Sequence, residues 1–436
     1  MHISMSCVSL RFSVSISQNQ LLHCYTQTPL QLDHHLKLFS PSQRLPFIEF
    51  IALMALTTSL VALTVDGMLP ALPDIGKDLG VSDPNAPQLV ISMVFLGMAI
   101  GQLFFGPLSD SIGRKPSLYI GMGVFIVGCL MSIFATSFEM MIAARITQGI
   151  GASGPRTIPM ALIRDEYEGR SMARIMSLIM MVFILVPMLA PLLGQIVIYY
   201  ANWRAIFTCF LILAVVLLVW FACRQPETLV PEKRKPLNAS TIVSGFKEVL
   251  KNRIALGYTA CMGMLSGPFI AYLATAQPIL QEQYDLGIRF PAYFAILSLS
   301  IGVASYLNSR LVMKWGMRLL SSFSLISIIT ISSIFAIYLF INGAQPPLWL
   351  FMSYMVMILF FNGILFGNIT SIAMGPLGHV AGVGAAVVGS LSTLISVPFG
   401  IWIGQSYTDS VMPVVIGFMG CCAVALCLMQ WAEAGD

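Results

Sequence analysis

The chain has 436 residues, 57% of them hydrophobic and only 10% charged, with a formal net charge of +4 at pH 7. Soluble domains carry roughly 25% charged residues, so this composition excludes a water-soluble globular enzyme and places the chain in a bilayer. The basic residues are scattered instead of forming one patch, which excludes a nucleic-acid-binding surface.

Residues 1–45 are polar, rich in Ser and Gln, and contain His2, His23, His34 and His35 together with Cys7 and Cys24. They lack the apolar core and cleavage site of a secretory signal, and their His and Cys spacing matches no metal site. A disordered extension is expected there, and an incorrectly assigned start codon would account for it equally.

From Pro46 onward apolar runs recur between short turns. A spanning segment needs about 20 apolar residues and must satisfy its own backbone hydrogen bonds, so helices are expected to carry the whole fold. Twelve spans are predicted, near 47–73, 87–108, 117–136, 139–164, 173–199, 203–223, 254–281, 291–313, 319–342, 347–371, 383–405 and 411–431. They divide into a six-helix bundle over 46–223 and a second over 253–436, the latter including a short tail. Residues 224–252, with their prolines, basic cluster and short amphipathic end, read as a cytoplasmic surface linker. With the amino terminus inside, cytoplasmic segments hold 18 of the 23 Lys and Arg residues, so both termini are expected in the cytoplasm. Seven cysteines (Cys129, Cys209, Cys223, Cys261, Cys421, Cys422, Cys427) sit in apolar runs and read as packing residues.

The halves echo each other. LPALPDIGKDLG (69–80) after span 1 resembles ATAQPILQEQYDLG (274–287) after span 7, and IGRK (112–115) has a counterpart in WGMR (315–318). This order suggests duplicated six-helix halves with a site between them.

Within the spans, Asp66 lies a few residues external to the centre of an apolar run, where a bare carboxylate is costly and marks a proton-pathway candidate. The alternative reading is a residue that caps a helix break at Gly67 and Pro70. On span 4, Arg145, Gln148, Ala152 and Arg156 share one helical face that cannot comfortably meet lipid and is expected to face the cavity between the bundles, with Gln148 and Arg156 candidates to line the substrate site. Arg145 is expected either to stabilise ionised Asp66 or to bind backbone carbonyls at a helix break. Arg156 lies about 16 Å further inward, and a substrate anion, a gate and a fixed counter-charge all remain open for it. Span 5 carries Pro187, Pro191 and Gly194, which bend a helix and let a neighbour approach. Gly97 and Gly101 give span 2 a weaker packing signal. Tyr258, Tyr272 and Gln277 on span 7, with Asn362 and Asn368 on span 10, are candidates to line a substrate cavity. His379 precedes span 11 and reads as solvated.

The turn GPLSDSIGRK (106–115) resembles the GxLxDxxGRK signature of the major facilitator superfamily, with Gly106, Leu108, Asp110, Gly113, Arg114 and Lys115 all fitting. The resemblance implies a major facilitator fold, all-α and integral to the membrane, of twelve transmembrane helices in two six-helix bundles. It also implies a cytoplasmic gate in which Asp110 faces the start of span 11, near HVAGVGAA (379–386), when the transporter opens outward. The second half has Met313 where Asp110 would fall. TVDGMLPALPDIGKDLG (64–80), ARITQGIGASG (144–154), RDEYEGRSMARIMSLIMMVFILVPMLAPLLGQ (164–195), NWRAIF (202–207) and PETL (226–229) narrow the resemblance to Bcr/CflA-type drug-resistance transporters, which are drug:proton antiporters. By that resemblance Asp66 is the helix 1 acidic residue, Arg145 the arginine of an RxxQG pattern, and Pro187, Pro191 and Gly194 part of the helix 5 antiporter motif.

The expected activity is export of small amphipathic drugs or toxic compounds by proton antiport across a bacterial inner membrane. The expected energy source is the proton-motive force, with no cofactor, no metal and no enzymatic step; GxxxxGK[ST] does not occur. The expected partners are substrate, protons and lipid, with the chain acting as a monomer. A proton-coupled transporter of one metabolite, such as an amino acid or sugar, is the alternative; a non-transporting membrane sensor is a more distant one.

Overall fold

The computed structural model describes residues 45–434 apart from 235, 237, 238 and 344. The amino-terminal extension and its histidines therefore lie, except for Leu45, outside the described residues. Fourteen α-helices follow in order: α1 (Phe47–Asp66), α2 (Leu72–Asp78), α3 (Leu89–Ile112), α4 (Arg114–Ile133), α5 (Phe138–Glu166), α6 (Gly169–Tyr200), α7 (Trp203–Arg224), α8 (Ala239–Lys251), α9 (Arg253–Gln277), α10 (Phe290–Trp315), α11 (Met317–Asn342), α12 (Leu348–Met374), α13 (Ala381–Gln405) and α14 (Met412–Glu433). No strand occurs among the described residues.

With α2 and α8 too short to cross, twelve helices remain as spans. Eleven segments are long and apolar enough for a bilayer. The twelfth, α5, has the length at 29 residues but interrupts its apolar sequence with Arg145, Gln148, Arg156 and Arg164. It tolerates them because α1, α3 and α4 pack around it and supply polar partners. Close approach makes that packing possible: Gly97 of α3 and Gly149 of α5 face each other, and a Cβ on either would strike the opposing backbone.

Side chains cap several starts. Ser137 Oγ accepts from the Met140 amide at 3.2 Å before α5, and Asn252 Oδ1 accepts from the Ala255 amide at 2.9 Å before α9. Pro46 and Pro347 precede α1 and α12. Single glycines with positive φ turn α3 into α4 (Gly113, φ 111°) and α10 into α11 (Gly316, φ 77°), so the IGRK and WGMR segments perform the same turn in each half.

In the second half α9 takes the central place, against α12, α13 and α14. The halves meet along α3 with α13 and α6 with α10. Spans 2 and 8 correspond in the duplicated order, as do spans 5 and 11, so these two seams are one contact made twice. Within the linker, α8 lies on α13, where Gly245 sits against Val383.

Candidate functional site

The centre of the site is a break in α1. Pro70 has no amide to continue the helix, so α1 stops at Asp66, and Leu69–Ala71 form a short 3-10 turn. The carbonyls of the last helical turn then need other donors. Leu63 O keeps its ordinary helical bond, from the Gly67 amide at 2.9 Å, whereas Thr64 O accepts from Arg145 Nη2 at 2.9 Å. Asp66 itself is 5% exposed and makes no hydrogen bond or ion pair with any described residue. Tyr272 of α9 lies opposite, within electrostatic reach of Asp66; its hydroxyl is buried without a partner and its ring stacks on Phe294 at 6.2 Å. A carboxyl of one half thus lies within electrostatic reach of a phenol of the other.

Arg145 is fully buried and ties three helices to α5. Its Nε donates to Val90 O of α3 at 3.0 Å, Nη2 donates to Thr64 O of α1, Nη1 donates to Gln148 Oε1, and the guanidinium lies 5.5 Å from the Phe207 ring of α7. Gln148 passes the chain on, Nε2 donating to Cys129 Sγ of α4 at 3.0 Å. Of the two arrangements expected for Arg145, the structure has the backbone tie and no ion pair with Asp66. The reason is geometric: the orphan carbonyl two residues before Asp66 takes the donor. Arg156, by contrast, is exposed to solvent although protein surrounds it, and it has no hydrogen-bond or ion-pair partner among the described residues. That combination describes a side chain projecting into a water-accessible interior space.

From α6, Gly194 presses directly on the Gly67 carbonyl, so a Cβ there would collide with the break. Pro191 is buried beside it and Pro187 is half-buried one turn away. The helix 5 motif therefore braces the segment that carries Asp66.

The second-half candidates separate by partner. Asn362 is fully buried with both amide atoms unpaired, which leaves it available to a ligand. Asn368 is not: it exchanges two hydrogen bonds with Asn308 of α10, at 3.1 and 2.9 Å. Gln277 donates to Glu282 Oε1 at 2.9 Å and steadies the π-helical turn Pro278–Gln283 that follows α9. Tyr258 donates to Glu433, the last residue of α14. The cavity roles expected of Asn368, Gln277 and Tyr258 are thus replaced by structural ties, because each finds a polar partner that is remote in sequence or lies beyond the span.

At the turn between α3 and α4 Arg114 is the hub. It donates to Asp110, to Ser109 Oγ at 2.9 Å and to Asp165 Oδ2 at 2.8 Å. Glu227 of the PETL segment accepts from the amides of Arg114 and Lys115 at 3.0 and 2.9 Å, capping α4, while Lys115 Nζ donates to Ala222 O. Asp110 lies against Gly382 in the first turn of α13, and Gly106 packs at Ala386. Sequence reasoning quoted the segments holding Asp165 and Glu227 without giving either carboxylate a role.

The opposite end is also clasped. Asn85 Nδ2 donates to the carbonyls of Gln405 and Tyr407 at 3.2 and 2.7 Å, and Gln405 Nε2 returns a bond to Asn85 O at 2.8 Å. Neither residue carried a sequence signal, since single amides in loops are common. Nearby, Asp78 accepts from Trp203 and Arg204 at 3.1 and 2.5 Å, joining two of the quoted motifs.

Residues 54–400 match the family model described as Major Facilitator Superfamily. The chain is 29% identical to the bicyclomycin resistance protein homolog of Haemophilus influenzae, with 88% of this chain and 95% of that protein covered. It is 27% identical to a chloramphenicol resistance protein of Pseudomonas aeruginosa, covering 77% and 81%. The solved Escherichia coli xylose transporter XylE superimposes with a TM-score of 0.69 at 13% identity over 88% of this chain and 97% of that one, a likeness of fold.

Proposed function

The chain belongs to the major facilitator superfamily, and we propose that within it this protein exports small amphipathic drugs or toxic compounds in exchange for protons. The observation that carries the proposal is Asp66: a buried carboxyl without a partner, at a helix break, within electrostatic reach of Tyr272 across the seam between the halves. A carboxylate in that setting is expensive when ionised and is relieved by a proton or by access to water. Asp66 takes a proton when the outer path is open and releases it when the inner path is open. Substrate binding favours the ionised form.

Alternating access follows from the two equivalent seams, α3 with α13 and α6 with α10, about which the halves rock. The Asn85 clasp holds one end by hydrogen bonds between the halves, and at the other Asp110 and Gly106 pack on Gly382 and Ala386 of α13, so opening at either side breaks a short list of contacts. One proton moving through 100 mV supplies about 2.3 kcal/mol, roughly a fiftyfold concentration ratio. The bacterial relatives and the bias of 18 of 23 basic residues to one side support a bacterial inner membrane with both termini cytoplasmic. Both halves lie in one chain, which supports a monomer as the transporting unit.

The test is drug susceptibility in a bacterial host stripped of its own efflux pumps, with empty vector, wild type and Asp66→Asn at equal membrane abundance. Resistance to at least one compound with wild type, lost in Asp66→Asn, is expected. Resistance unchanged in Asp66→Asn removes Asp66 from coupling, and sensitivity to every compound overturns the exporter reading.

A further inference from the structure

Well away from the span ends, the acidic and basic side chains of the first half are Asp66, Arg145 and Arg156. The site therefore carries about one net positive charge when Asp66 is ionised and about two when it is protonated. Arg145 spends its donors on Val90 O, Thr64 O and Gln148, all buried within the first half. Arg156 spends none on any described residue, and it alone of the three is open to solvent while enclosed by protein. An arginine facing lipid at this depth would be severely penalised. One left unpaired over an interior space is instead a preformed fork of donors awaiting an acceptor.

We infer that Arg156 is the anion-binding residue of the export cavity, and that the exported compounds join an acidic group such as a carboxylate or sulfonate to an apolar body. This inference rests on the exporter reading above and narrows its substrate class. The apolar body suits the hydrophobic surroundings of the spans, while the acidic group meets the net positive charge that the two arginines leave in both protonation states of Asp66. A lipophilic cation meets the opposite field and is disfavoured in both protonation states of Asp66. Charge movement follows as well: a neutral compound leaving against one entering proton moves one charge, whereas a monoanion moves two. The membrane potential then supports roughly fiftyfold accumulation per 100 mV for the neutral compound and roughly 2,500-fold for the anion.

The experiment uses the purified full-length chain in proteoliposomes under an imposed pH gradient and membrane potential. Three naphthalene probes share one apolar body and differ in a single substituent: a sulfonate, a neutral sulfonamide or a trimethylammonium group. Wild type is expected to move the sulfonate at least tenfold faster than the trimethylammonium probe, with about two charges per molecule. Arg156→Gln is expected to slow the sulfonate at least tenfold while leaving the neutral probe within twofold, which also shows that the variant is folded; Arg156→Lys should retain most sulfonate transport. Sulfonate transport unaffected by Arg156→Gln, or a preference for the cation, overturns the anion site alone. Failure of wild type to move any probe overturns the exporter reading beneath it.

Discussion

Replacing Arg145 by lysine keeps the charge and removes the fork. The guanidinium reaches Val90 O at 3.0 Å and Thr64 O at 2.9 Å, on two different helices, while also meeting Gln148. A lysine ammonium is a point donor on a stem of different reach and serves one of these acceptors well. Two bonds are therefore lost. If each behaves like an average side-chain bond in a membrane protein, about 0.6 kcal/mol, the cost is about 1 kcal/mol. If each behaves like a charge-assisted bond with its acceptor left buried, the cost reaches about 5 kcal/mol. The thiol of Cys129 reports the damage, because Gln148 connects it to Arg145 and it is fully buried. With the exposed cysteines Cys209, Cys223 and Cys427 replaced, alkylation of Cys129 in Arg145→Lys should accelerate several-fold and the thermal midpoint should fall. Because Thr64 lies in the same turn as Asp66, efflux should weaken as well. Unchanged labelling and an unchanged midpoint would refute the view that Arg145 holds the break in place.

Further outcomes follow from other contacts. Gly97→Ala forces α3 away from α5 and should cost about 1–3 kcal/mol, whereas Gly123→Ala, with nothing within 4 Å of the added carbon, should be neutral or stabilising by about 0.5–1 kcal/mol; paired thermal melts in detergent decide it. Asn85→Ala removes two hydrogen bonds of the clasp to Gln405 and Tyr407, each worth about 1 kcal/mol, so spin labels at the exposed positions Ser82 and Thr408 should show a larger population of wide separations. Glu227→Ala uncaps α4 and should destabilise the first half by about 1–2 kcal/mol, seen as a lower melting midpoint that Glu227→Gln partly restores.

The spans were readable because a bilayer imposes one simple demand, about 20 apolar residues per crossing. Even α5, which falls short of that apolarity, was recognisable from the common face of Arg145, Gln148 and Arg156. The single-glycine turns at Gly113 and Gly316 showed the duplication. Partner choice was less accessible. A lone polar residue in a span looks the same in sequence whether it faces a cavity or another helix. Asn368 found Asn308 60 residues away, and Tyr258 found Glu433 175 residues away. Tyr272 and Asn362, by contrast, keep buried polar atoms without a partner. Arg145 bonds Thr64 O, two residues from Asp66, but that acceptor is a backbone carbonyl in the last turn of α1, and carbonyls carry no residue-specific signal.

The central claim is that Asp66 exchanges its proton for substrate. Its most direct test is proton release from the purified protein in weakly buffered detergent solution, followed with a pH-sensitive dye on adding a compound that the susceptibility assay identifies as exported. The account predicts close to one proton released per bound substrate from wild type and none from Asp66→Asn that still binds the compound. Equal release from both proteins, or binding by wild type without release, would contradict it.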